Sequence, residues 1–249
     1  MLRPKNNKTK PRIKHRPFLK WAGGKFRLTD DLNRVFPKRK QCLIEPFVGA
    51  GAVFLNSHFE RYILADINPD LINLFNIVKE NVDAYIEACK PIFFAENANT
   101  ADYYYTQRDA FNQSSDPFER SVLFLYLNRF GFNGLCRYNS KNEFNVPFGA
   151  YKTHYFPEDE LRYFAHKAQS AVFLCDDFQQ TFELADKHSV IYCDPPYAPL
   201  PQDTNFTGYA GNAFGLEHQK NLAECAKKAQ KEKQISVVIS NHDTKFKIG

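Results

Sequence analysis

Two short apolar runs, each closed by an acid and followed by a turn and a helical pattern, constrain the fold of this 249-residue chain more than any other feature. Residues 42–45 (Cys-Leu-Ile-Glu) read as a first strand, and Pro46-Phe47-Val48-Gly49-Ala50-Gly51 then opens a helix near Ala52. Residues 62–65 read as a second strand ending at Asp66, after which Leu71, Leu74, Phe75, Val78, Val82 and Ile86 recur at helical spacing. Two strand-turn-helix units in a row predict an α/β protein with a doubly wound, mostly parallel, Rossmann-like sheet. The glycines allow a ligand to approach the backbone closely. Asp66 stands about 20 residues beyond the first strand, where an acid typically meets ribose hydroxyls.

Strand-helix alternation resumes late in the chain, with strands at 171–174, 190–193 and 235–239 and a helix near 217–231. A helix starting with Thr29 as N-cap precedes the first strand. Between about residues 97 and 156 the alternation fades and aromatic, Asn and Arg residues crowd together, as expected of an insertion. Within it, 121–129 reads as a helix and 136–148 as a hairpin turning around Asn139-Ser140-Lys141-Asn142. The expected organisation is a basic arm (1–17), an α/β unit in two pieces (18–96 and 157–249) and the insert (97–156).

Composition narrows the class. With 43% hydrophobic residues the chain can bury a full core. No apolar run approaches the roughly 20 residues needed to span a bilayer, and the start lacks the hydrophobic stretch of a secretory signal. The expected setting is therefore cytoplasmic, without membrane contact. Cys42, Cys89, Cys136, Cys175, Cys193 and Cys225 form no close pair and read as reduced thiols. Neither they nor the seven histidines make a metal-ligand spacing, so no metal is expected. Seven of the 33 Lys and Arg residues lie in 1–16, which has no acid, leaving 26 against 28 Asp and Glu elsewhere. That arm could neutralise phosphates, or it could be a solvated tail.

Asp194-Pro195-Pro196-Tyr197 directly follows the apolar run 190–193, at the end of a strand where open α/β sheets hold ligands. The four residues suit the activation of an aromatic amine, whose nitrogen lone pair is delocalised into its ring. The Asp194 carboxylate can accept one N–H and the Pro195 carbonyl the other, biasing the nitrogen towards a tetrahedral lone pair. The prolines stiffen the backbone, and Tyr197 offers a ring on which an extruded base could stack. The bland alternative is a rigid Pro-Pro turn. Phe-x-Gly-x-Gly at 47–51 falls short of the dinucleotide fingerprint, and no Gly-Lys-Ser/Thr follows, which argues against a nicotinamide enzyme or a nucleotide triphosphatase.

Six motifs together resemble the DNA adenine methylases of the Dam type, with the α order of motifs. They are Phe18-Leu19-Lys20-Trp21-Ala22-Gly23-Gly24-Lys25, Glu45 to Gly51, Leu64-Ala65-Asp66-Ile67-Asn68, Asn128 to Asn139, Phe144-Asn145-Val146-Pro147-Phe148-Gly149 and Tyr192 to Leu200. The resemblance covers Phe18 to about Thr244. It implies a class I methyltransferase sheet with a mainly helical target-recognition insert that contains a β-hairpin. It also implies methyl transfer from S-adenosyl-L-methionine to N6 of adenine, usually within GATC in double-stranded DNA, by a monomer that either stands alone, serving mismatch repair and replication timing, or is paired with a restriction nuclease. By matching positions, Trp21, Lys25, Phe47, Gly49, Gly51, Asp66, Asp177, Phe178 and Asp194 would meet the cofactor. Asp194, Pro195, Pro196 and Tyr197 would hold the flipped adenine.

In the insert, the resemblance puts Arg137 on a guanine edge, Leu135 and Pro147 on base methyls and Asn133 at the flip. Lys20 would touch the opening base pair and Arg108 a phosphate, with Arg129, Asn139 and Tyr151 as further DNA contacts. Phe132 stands where a relative commonly has tyrosine and would still serve as an apolar wedge. The competing reading makes the insert's aromatics core and its arginines solvated; for Tyr103, Tyr104 and Tyr105 that reading is preferred. The stretch 202–215, rich in Gly, Asn and Thr, reads as a lid. Relatives continue past Ser240-Asn241-His242-Asp243-Thr244 with an antiparallel hairpin, so a shortened, inactive DNA- and cofactor-binding remnant is one alternative. A methyltransferase acting on RNA adenine or a glutamine amide is another.

Overall fold

A computed structural model describes residues 13–197 and 214–241. The first 12 residues, most of the 202–215 stretch and the chain beyond Asn241 lie outside the described residues. In chain order the elements are α1 (Thr29–Val35), β1 (Cys42–Glu45), α2 (Ala52–Asn56), β2 (Arg61–Asp66), α3 (Pro69–Glu80), α4 (Val82–Phe93), α5 (Ala101–Gln113) and α6 (Pro117–Phe130). There follow α7 (Glu158–Ala168), β3 (Ala171–Cys175), α8 (Phe178–Glu183), β4 (Ser189–Cys193), α9 (Leu216–Lys233) and β5 (Ser236–Ile239). The strands form one parallel sheet in the order β3-β2-β1-β4-β5, with Ile44 in register between Ile63 and Ile191.

The central strands are apolar on both faces because helices cover both faces. Leu43, Tyr62, Leu64, Val190 and Tyr192 belong to one core cluster with Phe75 of α3 and Phe164 of α7. Cys42, Ile44, Ile191 and Cys193 belong to a second, with Phe178 and Phe182 of α8 and Leu222 and Ala229 of α9. The order reverses at β1: β2 and β3 lie to one side and β4 and β5 to the other. The loops leaving β1 and β4 therefore diverge, which opens the crevice where doubly wound sheets bind ligands.

The helical spacing read from Leu71 to Ile86 belongs to two helices. Asn81 (φ −151°) closes α3, its N–H donating to Ile77 O, while its side chain accepts from Ala84 N to cap α4. Apolar periodicity cannot register such a break, because both helices bury the same kind of face. Thr29 is the first residue of α1 and not its cap; a short 3-10 turn (Phe26–Leu28) precedes it, and its hydroxyl donates to Phe26 O. The hairpin region forms only the isolated antiparallel bridges Gly131–Phe148 and Tyr138–Phe144, and its turn closes through backbone and side chain alike, Asn139 N donating to Glu143 O and Asn139 Nδ2 to Glu143 Oε2. Asn139 Oδ1 accepts from Lys141 N and Glu143 N.

The segment 97–156 grows out of the first core cluster. Helix α6 is buried on nearly every side, from Ser121 through Asn128 and again at Phe130, and lies between α3 and α5. Tyr104 fits this core as expected, its hydroxyl donating to Val146 O. Among the polar contacts that join α6 to the amino-terminal segment, the most buried is a staple at Asn128. Asn128, 1% exposed, accepts Lys20 N at 2.8 Å and donates to Lys20 O at 2.8 Å and Gly134 O at 3.4 Å.

Asn128→Ala strands these buried backbone groups without partners. The expected loss is about 2–4 kcal/mol, seen as a lower urea midpoint with an unchanged denaturant slope. An unaltered midpoint would show that the two segments hold together without the staple.

Candidate active site

Asp194 leaves the end of β4 with both carboxylate oxygens engaged. Lys25 Nζ lies 2.7 Å from Oδ2, and the Tyr197 hydroxyl donates to Oδ1 at 3.0 Å. Lys25 also donates to Gly23 O at 2.8 Å, where Gly23 turns through φ +76°, and its ammonium lies 5.1 Å from the Tyr197 ring centre. Burial alone would lower the Lys25 pKa; hydrogen bonds and charge from Asp194 and Tyr197 outweigh it and raise the value. The tetrapeptide is braced from two further elements. Gln219 of α9 donates to Pro196 O at 3.0 Å, and Ser240 N, just beyond β5, donates to Cys193 O at 2.9 Å.

The loop after β1 faces the same crevice. Gly49 and Gly51 both adopt positive φ (49° and 73°), and Gly51 immediately precedes α2. A Cβ on Gly49 would stand 2.8 Å from Trp21 Nε1, so the indole lies directly against that glycine. Gly49 N donates to Asp66 Oδ2 at 3.1 Å and Asn68 N to Asp66 Oδ1 at 3.0 Å. Burial raises the Asp66 pKa in spite of these donors. Phe47 stacks on Phe178, ring centres 5.6 Å apart, with Phe214 edge-on to Phe47 at 5.5 Å. Phe178 is thus a wall of the second core cluster, and Asp177 caps α8, accepting from Gln179 N. Its carboxylate is already committed to a helix end.

Glu45 is a residue the sequence reading left without a role. It ends β1, is 2% exposed, and its Oε1 has no hydrogen-bond partner among the described residues. Burial and the neighbouring Asp194 push its carboxyl up to about 8, against the Phe54 N–H and Lys167, which pull it down. An acid closing a strand otherwise made of apolar residues was the available signal.

The residues assigned to DNA divide by environment. Phe132 is 47% exposed, and Asn133 and Pro147 are exposed beside it. Asn133 holds φ +53°, its N–H donating to the Tyr151 hydroxyl at 2.7 Å; Pro147 O accepts Phe132 N. Lys20 Nζ sits 3.9 Å from the Tyr151 ring centre and donates to Arg129 O, and burial together with Arg129 pushes its pKa down to about 8. Arg137 is half-buried, its Nε donating to Asn145 Oδ1 and its Nη2 to Asn145 O. Leu135 packs on the first core cluster. Arg129 faces inward, donating to Phe18 O, and Arg108 reaches Val146 O and stacks over Tyr105; among the described residues the buried Nε of each has no partner. Asn139 is spent on its turn. Among the described residues no cluster of three or more His, Cys, Asp or Glu could hold a metal ion, and no helix is long and apolar enough to cross a membrane.

Residues 21–248 match the family described as D12 class N6 adenine-specific DNA methyltransferase. The chain is 81% identical to the DNA adenine methylase of Haemophilus influenzae, over 99% of this chain and 86% of that protein. It is 59% identical to the DNA adenine methylases of Vibrio cholerae and of Escherichia coli K12, over 93% of this chain and 83% and 82% of theirs.

Glu45 has a pKa of about 8 in the fold against the ordinary 4.5, so the folded state keeps a proton that the unfolded chain releases. Its contribution is whole below pH 4.5 and is lost as pH rises through about 8. Glu45→Gln removes this titration, so the variant should gain stability relative to the parent across that window, read from urea midpoints at successive pH values. Parallel curves would show Glu45 ionised throughout.

Proposed function

The chain belongs to the D12 class N6 adenine-specific DNA methyltransferases, and from that premise we propose that it takes its methyl group from S-adenosyl-L-methionine and delivers it to adenine within GATC of duplex DNA. The observation that carries this reading is Asp194, held at the end of β4 beside the diverging β1 loop with its oxygens on Lys25 and Tyr197.

The residues at the crevice fit the proposed donor. Asp66 and Asp194 supply negative charge for a cation, and Glu45 Oε1, without a partner among the described residues, is an acceptor in search of a donor. Gly49, pressed against Trp21, leaves no room for a side chain, which lets the indole lie directly against the turn. Trp21, Lys25, Phe47, Gly49, Gly51, Asp66 and Asp194 would hold the cofactor, with Asp177 and Phe178 shaping its wall. When bound, the group supplies a methyl on a positively charged sulfur, already activated for attack.

The chain's own part is to present the amine. Asp194 and the Pro195 carbonyl accept its two N–H groups, and Pro196, braced by Gln219, keeps that backbone in place. The Tyr197 hydroxyl occupies one Asp194 oxygen, so engagement of the amine requires the ring to leave it, which frees Tyr197 to stack on the extruded base. Lys25 stays paired with Asp194, which suits proton loss after attack better than deprotonation before it. Residues 97–156 act as the target-recognition unit. Arg137 reads guanine, Phe132 wedges, Asn133 supports the flip, Leu135 and Pro147 contact base methyls, and Lys20, Arg108 and Tyr151 contact the strand. The inward-facing Arg129 supports this surface from within, and Asn139 shapes the turn of its hairpin. The basic arm adds salt-dependent affinity. The protein acts as a monomer in the cytoplasm, on the nucleoid.

Transfer of labelled methyl to duplexes carrying GATC or its scrambled form tests this directly. Transfer to GATC alone is expected, with Asp194→Ala lowering the rate by about 1,000-fold or more. Equal transfer to both duplexes would overturn the recognition sequence. No transfer by a folded protein would leave a binding remnant in place of an enzyme.

A further inference from the structure

The hairpin carrying Arg137 is anchored on both sides of that residue to the start of one helix. On one flank Asn68 Nδ2 donates to Cys136 Sγ at 3.2 Å; on the other the Tyr138 hydroxyl donates to Asp70 Oδ2 at 2.7 Å. Asn68 is the N-cap of α3, its side chain accepting from Asp70 N and Leu71 N, so both anchors rest on the first turn of α3.

Asp70 is itself locked. Arg120 of α6 grips it through two bonds of 2.9 Å, Nε to Oδ1 and Nη2 to Oδ2. The side chains of Arg120 and Asp70 are only 22% and 11% exposed. Arg120 Nη1 donates to Phe111 O at 2.7 Å and Ser114 O at 3.0 Å, so the guanidinium cannot turn without breaking backbone contacts of α5. A forked, partly buried pair of this kind is costly to rearrange.

Arg137 lies between the anchors with one guanidinium edge tied to Asn145, Nε at 2.7 Å and Nη2 at 3.0 Å. Two-pronged recognition of a base edge tolerates misplacement of only about half an ångström, so what aims the hairpin sets the discrimination. We infer that Tyr138 and Asp70 are positioning residues for base readout: the hydroxyl-carboxylate contact, backed by Arg120, aims Arg137 at its base. The inference rests on the reading of Arg137 as a guanine contact.

Tyr138→Phe removes the single hydroxyl and leaves the ring edge-on to Phe144, 5.7 Å between centres. Discrimination is measured as the ratio of kcat/KM on GATC to that on duplexes substituted at the guanine or at the thymine. Thermal melting confirms that each variant is folded. Tyr138→Phe should lower discrimination at guanine by about tenfold and leave that at thymine intact. Added to Arg137→Ala it should cost nothing further at guanine, as expected of a group acting through Arg137. If Tyr138→Phe melts too low to assay, Asp70→Asn, equal in size, carries the same comparison. Relaxed guanine discrimination in Arg137→Ala with wild-type discrimination in Tyr138→Phe would overturn this inference alone. Unchanged guanine discrimination in Arg137→Ala would overturn the assignment of Arg137, and the inference with it.

Discussion

The reversal of strand order at β1 is the constraint on which the site depends. Chains leaving β1 and β4 must run to opposite sides of the sheet, and the space between their first residues cannot be filled by either. Into that space come the Gly49–Gly51 turn from one strand and Asp194 from the other, with Lys25 reaching both the Gly23 turn and Asp194. A sheet wound in one direction only would leave these groups packed under a crossover helix.

Gathering acids at one sheet edge has an electrostatic cost, and the three carboxylates meet it differently. Asp194 is paired with a cation and a hydroxyl, Asp66 accepts two backbone N–H groups, and Glu45 has one oxygen without a partner. The order of satisfaction matches the chemistry. The least satisfied acid is the one whose pKa rises to about 8, because burial and the neighbouring Asp194 outweigh what the Phe54 N–H and Lys167 offer its charge.

The surface proposed to read DNA is supported by core. Helix α6 is buried nearly all round, so the segment that presents Phe132, Arg137 and Pro147 stands on the same aromatic cluster as the sheet face. Polar contacts then orient what the core supports. Asn128 ties the amino-terminal segment to α6, and Asp70, Arg120 and Tyr138 tie the hairpin to α3. Residue Asn68 touches both sides of the system, donating from its backbone to Asp66 and from its side chain to Cys136.

Five parallel strands, their approximate limits and the strand-end position of the tetrapeptide were legible in the residues, because continuous apolar runs of four to six residues bounded by turns admit little else. The division at Asn81 was not, since periodicity reports which face is buried and is blind to a turn that preserves the face. The candidate site was legible as residue types and motifs, which is how Asp194, Asp66 and the two glycines were proposed. Their partners were not: Lys25 with Asp194, or Arg120 with Asp70, join segments far apart in the chain, and an ion pair leaves no local pattern. Arg129 and Asn139 show the same boundary, one turned inward to a carbonyl and the other consumed by its own turn. By itself the sequence determined the strands, the turns and the chemical groups, all set by short-range sterics and hydrophobic period. Which of those groups face each other, which face the crevice and which are spent on support was decided only by tertiary packing, because burial and electrostatics depend on what the fold brings within a few ångströms.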